Sequence, residues 1–263
     1  MKAGHSRHGS EVIRYRRALF ARYATTTGLH GGLAMPCLLA RRLPYLRMII
    51  SRFFPQQRDS AVHDLGCGQG ILMQCARAVG YRNVRGSDAS PEQVAIAKAN
   101  GIGGIECSGA LEAVRKLKSS TQDLILAFDL VEHLTKDEVM ELAREIHRVL
   151  KPRGSFLVHT PNGGSPLVGR TFTGDLSHET LFSQASLCQL LYISGFPRCD
   201  CHEDRPVVHG PLSGVRWILW MVLRSIFVII SAIESGHVDW HGVHSQNMLV
   251  VARKGLEGTG GGR

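Results

Sequence analysis

The stretch "VHDLGCGQG", residues 62–70, decides how this chain is read. A short apolar run ends in Asp64, and Gly66, Gly68 and Gly70 then stand at alternate positions. Glycines so placed let a strand turn sharply into a helix and bare the backbone N–H groups at the helix start. A dinucleotide fingerprint, G-x-G-x-x-G, would need its third glycine at position 71, where Ile71 stands. The spacing here is G-x-G-x-G behind an acid. A second acid follows at the right interval, since "NVRGSDAS" ends an alternating apolar run in Asp88, 18 residues after Gly70. Ser90 and Pro91 then open the next helix.

Outward from this turn, short apolar runs alternate with helical patterns. Strands are expected at 61–65, 83–88, 102–107, 122–128, 154–160, 197–203 and 245–253. Helices are expected at about 70–79, 91–100, 109–118, 136–150 and 184–194. That alternation predicts an α/β fold built on a doubly wound, mostly parallel sheet. Before it, "SEVIRYRRALFARYATT" (10–26) reads as a basic amphipathic helix, 28–36 as a glycine-rich loop, and "PYLRMIISRFFP" (44–55) as a second helix between prolines. We place a basic N-terminal extension at 1–42, the main domain at 43–254, and a disordered glycine-rich tail at 255–263.

Composition narrows the class. The chain has 263 residues, 44% hydrophobic and 20% charged, enough for a sizeable core. Its net charge of +9 lies entirely in residues 1–60, where eleven Lys/Arg face only Glu11 and Asp59. Such a segment is either a solvated face or an attractor of acidic lipid, phosphorylated substrate or nucleic acid. It resembles a transit peptide only slightly, because it continues into helical pattern, and no apolar run with a cleavage site follows Met1. The seven scattered cysteines suit a reducing compartment, so a cytoplasmic protein is expected. The tightest cluster, Cys199-Asp200-Cys201-His202, lacks the paired spacing of a structural zinc site. Residues 215–233, "VRWILWMVLRSIFVIISAI", are apolar almost throughout. They lie between two expected strands of one sheet, so a single membrane crossing would strand the last one on the wrong side. We expect an inserted helix at 213–235, with a peripheral membrane contact helped by Trp217, Trp220 and the basic N-terminus at the inner face.

Five segments in order resemble the class I S-adenosylmethionine-dependent methyltransferases: "DLGCGQG", "GSDASPEQVAIAKA", "DLILAFDLVEHL" (123–134), "EIHRVLKPRGSFLVHTPN" (145–162) and "SLCQLLYISGF" (186–196). The resemblance implies a Rossmann-like, seven-stranded sheet with its last strand antiparallel. It also implies S-adenosylmethionine as cofactor. Gly66, Cys67, Gly68 and Gly70 would meet its methionyl end, Asp64 its amine, and Asp88 with Ala89 its ribose diol. Relatives often carry an acid after the third strand for the adenine. Here Ser108, Gly109 and Ala110 stand there, leaving backbone and apolar contacts such as Leu111. Phe128 and Asp129 would border the cofactor after the fourth strand.

The acceptor side is less defined. "AFDLVEHL" lacks the Asn/Asp-Pro-Pro-aromatic run of enzymes that methylate DNA bases, which counts against nucleic acid. It resembles the Glu-x-x-Glu-His segment of ubiquinone-type O-methyltransferases, implicated there in holding a divalent cation. Asp129, Glu132 and His133 occupy those places, but a helix opening is the favoured reading and no metal site is assigned. His133 and His178 are the candidate bases; His159 receives no role. The expectation is O-methylation of a small-molecule, sugar or lipid-linked acceptor. The alternatives are a metal-assisted quinone-type enzyme and a non-catalytic cofactor-binding interaction protein. Oligomeric state is not assigned.

Overall fold

The computed structural model describes residues 16, 18–27 and 35–256, with side chains from 40 onward in the second stretch. Seven strands form one sheet: β1 (Val62–Leu65), β2 (Val84–Asp88), β3 (Ile105–Cys107), β4 (Gln122–Phe128), β5 (Leu150–Pro161), β6 (Arg198–Glu203) and β7 (Asn247–Arg253). The order is β3-β2-β1-β4-β5-β7-β6. Only β7 runs antiparallel to its neighbours, as the resemblance implies. The chain starts mid-sheet at β1, builds outward to β3, then crosses to β4 on the other side of β1. That reversal opens a crevice above the carboxyl ends of β1 and β4, the place where such sheets hold ligands.

Strand alternation feeds two cores. Ile125, Ala127, Phe156 and Val158 point to one face, beneath α5 (Ala110–Lys116), α6 (Lys136–Val149) and α8 (Gln184–Ile193). Leu124, Leu126 and Leu157 point to the other, beneath α2 (Met35–Phe53) and α3 (Ile71–Ala78). Helix α4 (Pro91–Ala99) is capped by the Ser90 hydroxyl, and α6 by a reciprocal Thr135–Glu138 box. A short α1 (Tyr23–Thr26) and α7 (Val168–Thr173) lie near the crevice, and α9 (Pro211–Ser235) joins β6 to β7.

Two expectations are corrected. Helix α2 begins at Met35, not at Pro44, and runs through the proline and across the 42/43 boundary. Interior proline costs a helix about 3 kcal/mol. Burial of Leu46, Ile49, Ile50 and Phe54 is worth more than that at about 1.5–3 kcal/mol each. Strand β5 starts at Leu150, earlier than the expected 154, with a register irregularity opposite Gln122 and Leu124. Residues 10–15 and 17 of the expected 10–26 helix, 28–34 of the glycine-rich loop and 257–263 of the tail fall outside the described residues; within them, 18–21 and Tyr23–Thr26 are helical.

Candidate active site

A cavity of about 960 Å³ fills the crevice. Its floor is the glycine turn. Gly68 has φ +54° and donates its N–H to Asp88 Oδ2 at 2.8 Å. Gly70, at φ +74°, caps α3 in the left-handed conformation, and a Cβ there would lie 2.8 Å from Ile105 and 2.9 Å from Ile102. The other oxygen of Asp88 accepts from Ser90 N at 2.8 Å. Two backbone donors thus hold the carboxylate in place, and each oxygen keeps a lone pair for a diol. Asp64 is buried beside it, and its Oδ1 has no hydrogen-bond partner. Burial, then the Asp88 charge, push its carboxyl up to about 8. An acceptor so placed lacks a cation, and the ammonium of a methionyl group fits that need. Cys67, Ala89, Gly109, Ala110 and Phe128 also line the cavity, so every residue expected to meet the cofactor is brought around it except Gly70, which shapes the turn from beneath.

The far wall is polar. Asp129 adopts a left-handed φ of +50°, uncommon for a non-glycine and a mark of local strain. Its Oδ1 lies 2.6 Å from His159 Nδ1, and His159 Nε2 lies 3.3 Å from Asp204 Oδ2. Phe128 stacks on the imidazole at 5.4 Å. Burial disfavours the imidazolium, but the flanking carboxylates outweigh it and hold His159 well above its ordinary value. Asp129 is likewise raised by burial and lowered more by His159, ending below the usual range. His159 is thus a fixed positive charge between two acids.

His133 also faces the cavity. Ser177 Oγ, 2.8 Å from His133 Nδ1, spends its own proton on Asp175 Oδ1 at 2.5 Å. His133 Nδ1 therefore donates and its Nε2 carries the free lone pair. Burial, then the neighbouring His178, lower its pKa, so it is neutral at pH 7. His178 does not line the cavity. It sits behind His133 with ring centres 4.8 Å apart, its Nδ1 held by the Phe172 carbonyl at 2.7 Å.

Asp129, which the alternative metal-assisted reading would group with Glu132 and His133, is engaged by His159. Among the described residues, ligand atoms of Glu132, His133 and His178 come within 4.8 Å of one another instead. Glu132 is buried, accepts from Thr160 Oγ1 at 3.0 Å, and is pushed up to about 8 by burial and then Asp129. Strand alternation separates the other candidate cluster. Cys199 and Cys201 pack toward α8, where Cys188 Sγ is 3.3 Å from Cys201 Sγ, while His202 faces Phe53 and Arg52.

Several wall residues are not expected from the sequence. Tyr23 donates to Asp175 Oδ2 at 2.7 Å and stands edge-on to His133, Phe20 flanks it, and Arg16 Nη1 pairs with Glu138 at 2.6 Å. Thr25 reaches Glu92 on α4. The basic N-terminal segment is thus one wall of the site. Its only signal in the sequence is the i, i+3 pair Phe20–Tyr23 among arginines. Arg41, Arg42, Tyr45 and Asp204 also line the cavity.

The chain is similar to known methyltransferases in part of its length. Residues 63–158 match the family model described as a methyltransferase domain. A probable S-adenosylmethionine-dependent methyltransferase of Mycolicibacterium smegmatis is 30% identical over 57% of this chain and 55% of its own length. A ribosomal protein L11 methyltransferase of Thermoanaerobacter pseudethanolicus is 31% identical over 38% of this chain and 31% of its own. The chain thus spans about half, or less, of these curated relatives. The fold is shared with a SAM-dependent methyltransferase from Archaeoglobus fulgidus (TM-score 0.61, 19% identity, 88% of this chain and 99% of that one). It is also shared with Haemonchus contortus phosphoethanolamine N-methyltransferase 2, solved with S-adenosyl-L-methionine (TM-score 0.57, 16% identity, 81% and 52%). Fold and matches support a class I S-adenosylmethionine-dependent methyltransferase; the ubiquinone-type likeness finds no counterpart among them.

Proposed function

We propose that this chain transfers a methyl group from S-adenosylmethionine to a hydroxyl of a small-molecule, sugar or lipid-linked acceptor. The observation that carries the reading is one cavity with two unlike walls. On one side are a glycine turn, Asp88 and an unpartnered Asp64. On the other is a neutral, oriented imidazole, His133. When bound, the cofactor supplies an electrophilic methyl group on a sulfonium. The chain's part is to hold acceptor and donor in line and exclude water. A hydroxyl must also lose a proton, and His133 Nε2 is the base that takes it. Ser177 and Asp175 orient that ring, and the imidazolium formed is stabilised by the Asp175 charge. His159, protonated between Asp129 and Asp204, cannot serve as base; it offers a fixed positive charge at the acceptor side.

His133→Gln is expected to lower kcat by roughly 10²-fold or more and leave product binding unchanged. The wild-type rate should fall on the acid side only below the ordinary histidine value of 6.5. An unaltered kcat in this variant would remove His133 from the chemistry. A second reading, metal-assisted transfer, is favoured by the convergence of Glu132, His133 and His178. Both imidazole Nδ1 atoms are engaged, which leaves Nε2 lone pairs free to ligate. Turnover lost to a chelator and restored by a divalent cation would select it.

A further inference from the structure

Helix α9 carries a surface the site does not use. It is 25 residues, about 37 Å, long. Val215, Leu219, Val222, Ile226, Ile230 and Ile233 recur at three- and four-residue spacing, and all are exposed. Leu212, Ile218, Leu223 and Ile229, equally exposed, widen the stripe. At about 100° per residue these positions cover an arc of roughly 140°. The only charge between Arg216 and Glu234 is Arg224, which lies on the opposite side.

Arg224 is what fixes the helix. Its Nε donates to Glu203 at 2.8 and 2.9 Å, and its Nη2 to the Trp240 carbonyl at 2.7 Å. Glu203 ends β6, and the next residue, Asp204, reaches the cavity wall. The middle of α9 is thus tied one residue from the cavity lining, and the chain on either side of it returns to the adjacent strands β6 and β7. Inserting α9 as a span would carry the Arg224–Glu203 pair into the bilayer or break it and pull on both strands, which disfavours a crossing.

The stripe suits lipid better than a second copy. A soluble helix pair uses a narrower apolar seam with charges along its borders; here the charges beside the stripe, Arg216 and Glu234, stand toward the two ends of the helix, and its middle is bordered by Ser225, Phe227 and Ala232. Trp217 and Trp220 lie on the Arg224 side of the helix, half-buried, and flank the stripe rather than join it. Arg41 and Arg42, both exposed, line the cavity, and residues 1–60 hold eleven Lys/Arg against two acids, which complements anionic headgroups.

We propose that α9 docks in the plane of an anionic bilayer, its aliphatic stripe at the headgroup–acyl boundary, so that the cavity opens at headgroup level and receives an amphiphilic acceptor from the membrane. The docking stands on α9 itself; the acceptor class rests on the methyltransferase reading above.

All three tryptophans of the chain, Trp217, Trp220 and Trp240, belong to α9 or the segment after it, so intrinsic fluorescence reports on this region alone. The full-length protein is mixed with phosphatidylcholine vesicles with and without phosphatidylglycerol, floated, and titrated with S-adenosylhomocysteine in parallel. Flotation with the anionic vesicles, a blue shift, and stronger quenching by bromine near the headgroup than by bromine at the chain end are expected. L219E/I226E should float roughly tenfold less yet bind S-adenosylhomocysteine like wild type. Wild type that stays in solution overturns the docking, as does equal quenching from both depths, which marks a span. A vesicle-indifferent dimer that L219E/I226E splits would assign the stripe to a second copy. If that variant fails to fold, the wild-type depth profile decides alone. Flotation without S-adenosylhomocysteine binding would uphold the docking and sink the methyltransferase reading.

Discussion

Asp64 and Asp88 stand at the ends of neighbouring strands, yet their surroundings separate them. Asp88 has backbone donors on both oxygens, while Asp64 has an oxygen with none. Asp64 and Glu132 are both held up to about 8 by burial and a neighbouring acid. The unfolded chain releases those protons near 4, so at neutral pH the folded state binds more protons and loses stability as pH rises. His63 and His133, whose folded values are lowered, act oppositely, but only below their ordinary 6.5. Between 6.5 and about 8 the decline comes from these carboxylates together with His159, whose raised value also makes the folded state bind more protons there, and the melting temperature of the cofactor-free protein should fall across that window. Asp64→Asn should flatten the fall, which thermal scans at a series of pH values would detect; an unchanged slope would contradict the assignment. The residues of the cofactor side are readable in sequence because chain-local spacing sets them: a turn, and an acid one βα unit on. His159 is not, because its partners Asp129 and Asp204 lie 30 and 45 positions away and only the sheet brings them together.

Elements carry the next level. Gly70 links β1 to α3 in a conformation that side chains avoid, and Ile102 and Ile105 already fill the space that a Cβ would take. Gly70→Ala should cost about 1–3 kcal/mol, read from urea unfolding, and should weaken cofactor binding by displacing the Gly68 N–H. An effect under about 0.5 kcal/mol, typical of a neutral surface change, would mean the turn relaxes freely. The N-terminal wall makes a different prediction. Tyr23→Phe removes one hydrogen bond to Asp175, worth about 1 kcal/mol, and should raise the acceptor KM several-fold while leaving cofactor affinity alone. Strands and helices from β1 onward are legible because hydrophobic periodicity matches burial on both faces. The start of α2 is not, since Pro44 reads locally as a boundary and only the packing of Leu46, Ile49 and Ile50 reveals otherwise. The N-terminal segment reads as an appendage because arginine-rich sequence does not disclose which distant acids, here Glu138 and Glu179, it pairs with.

At the scale of the whole molecule, topology places the chemistry. The reversal of strand order between β1 and β4 opens the crevice, β1 and β2 bring one pair of acids to its floor, and β4, β5 and the segment after β6 bring the His159 cluster to its far side. The same end of the sheet anchors α9 through Glu203, the residue before Asp204 of the acceptor wall. All of it depends on the crevice holding S-adenosylmethionine, and that is the claim to test first. Calorimetric titration with S-adenosylhomocysteine, on wild type and on Asp88→Ala, does so directly. The account predicts saturable binding that the substitution weakens by roughly tenfold or more, the loss of a charge-assisted contact to a diol. No binding, or binding indifferent to Asp88, would contradict it.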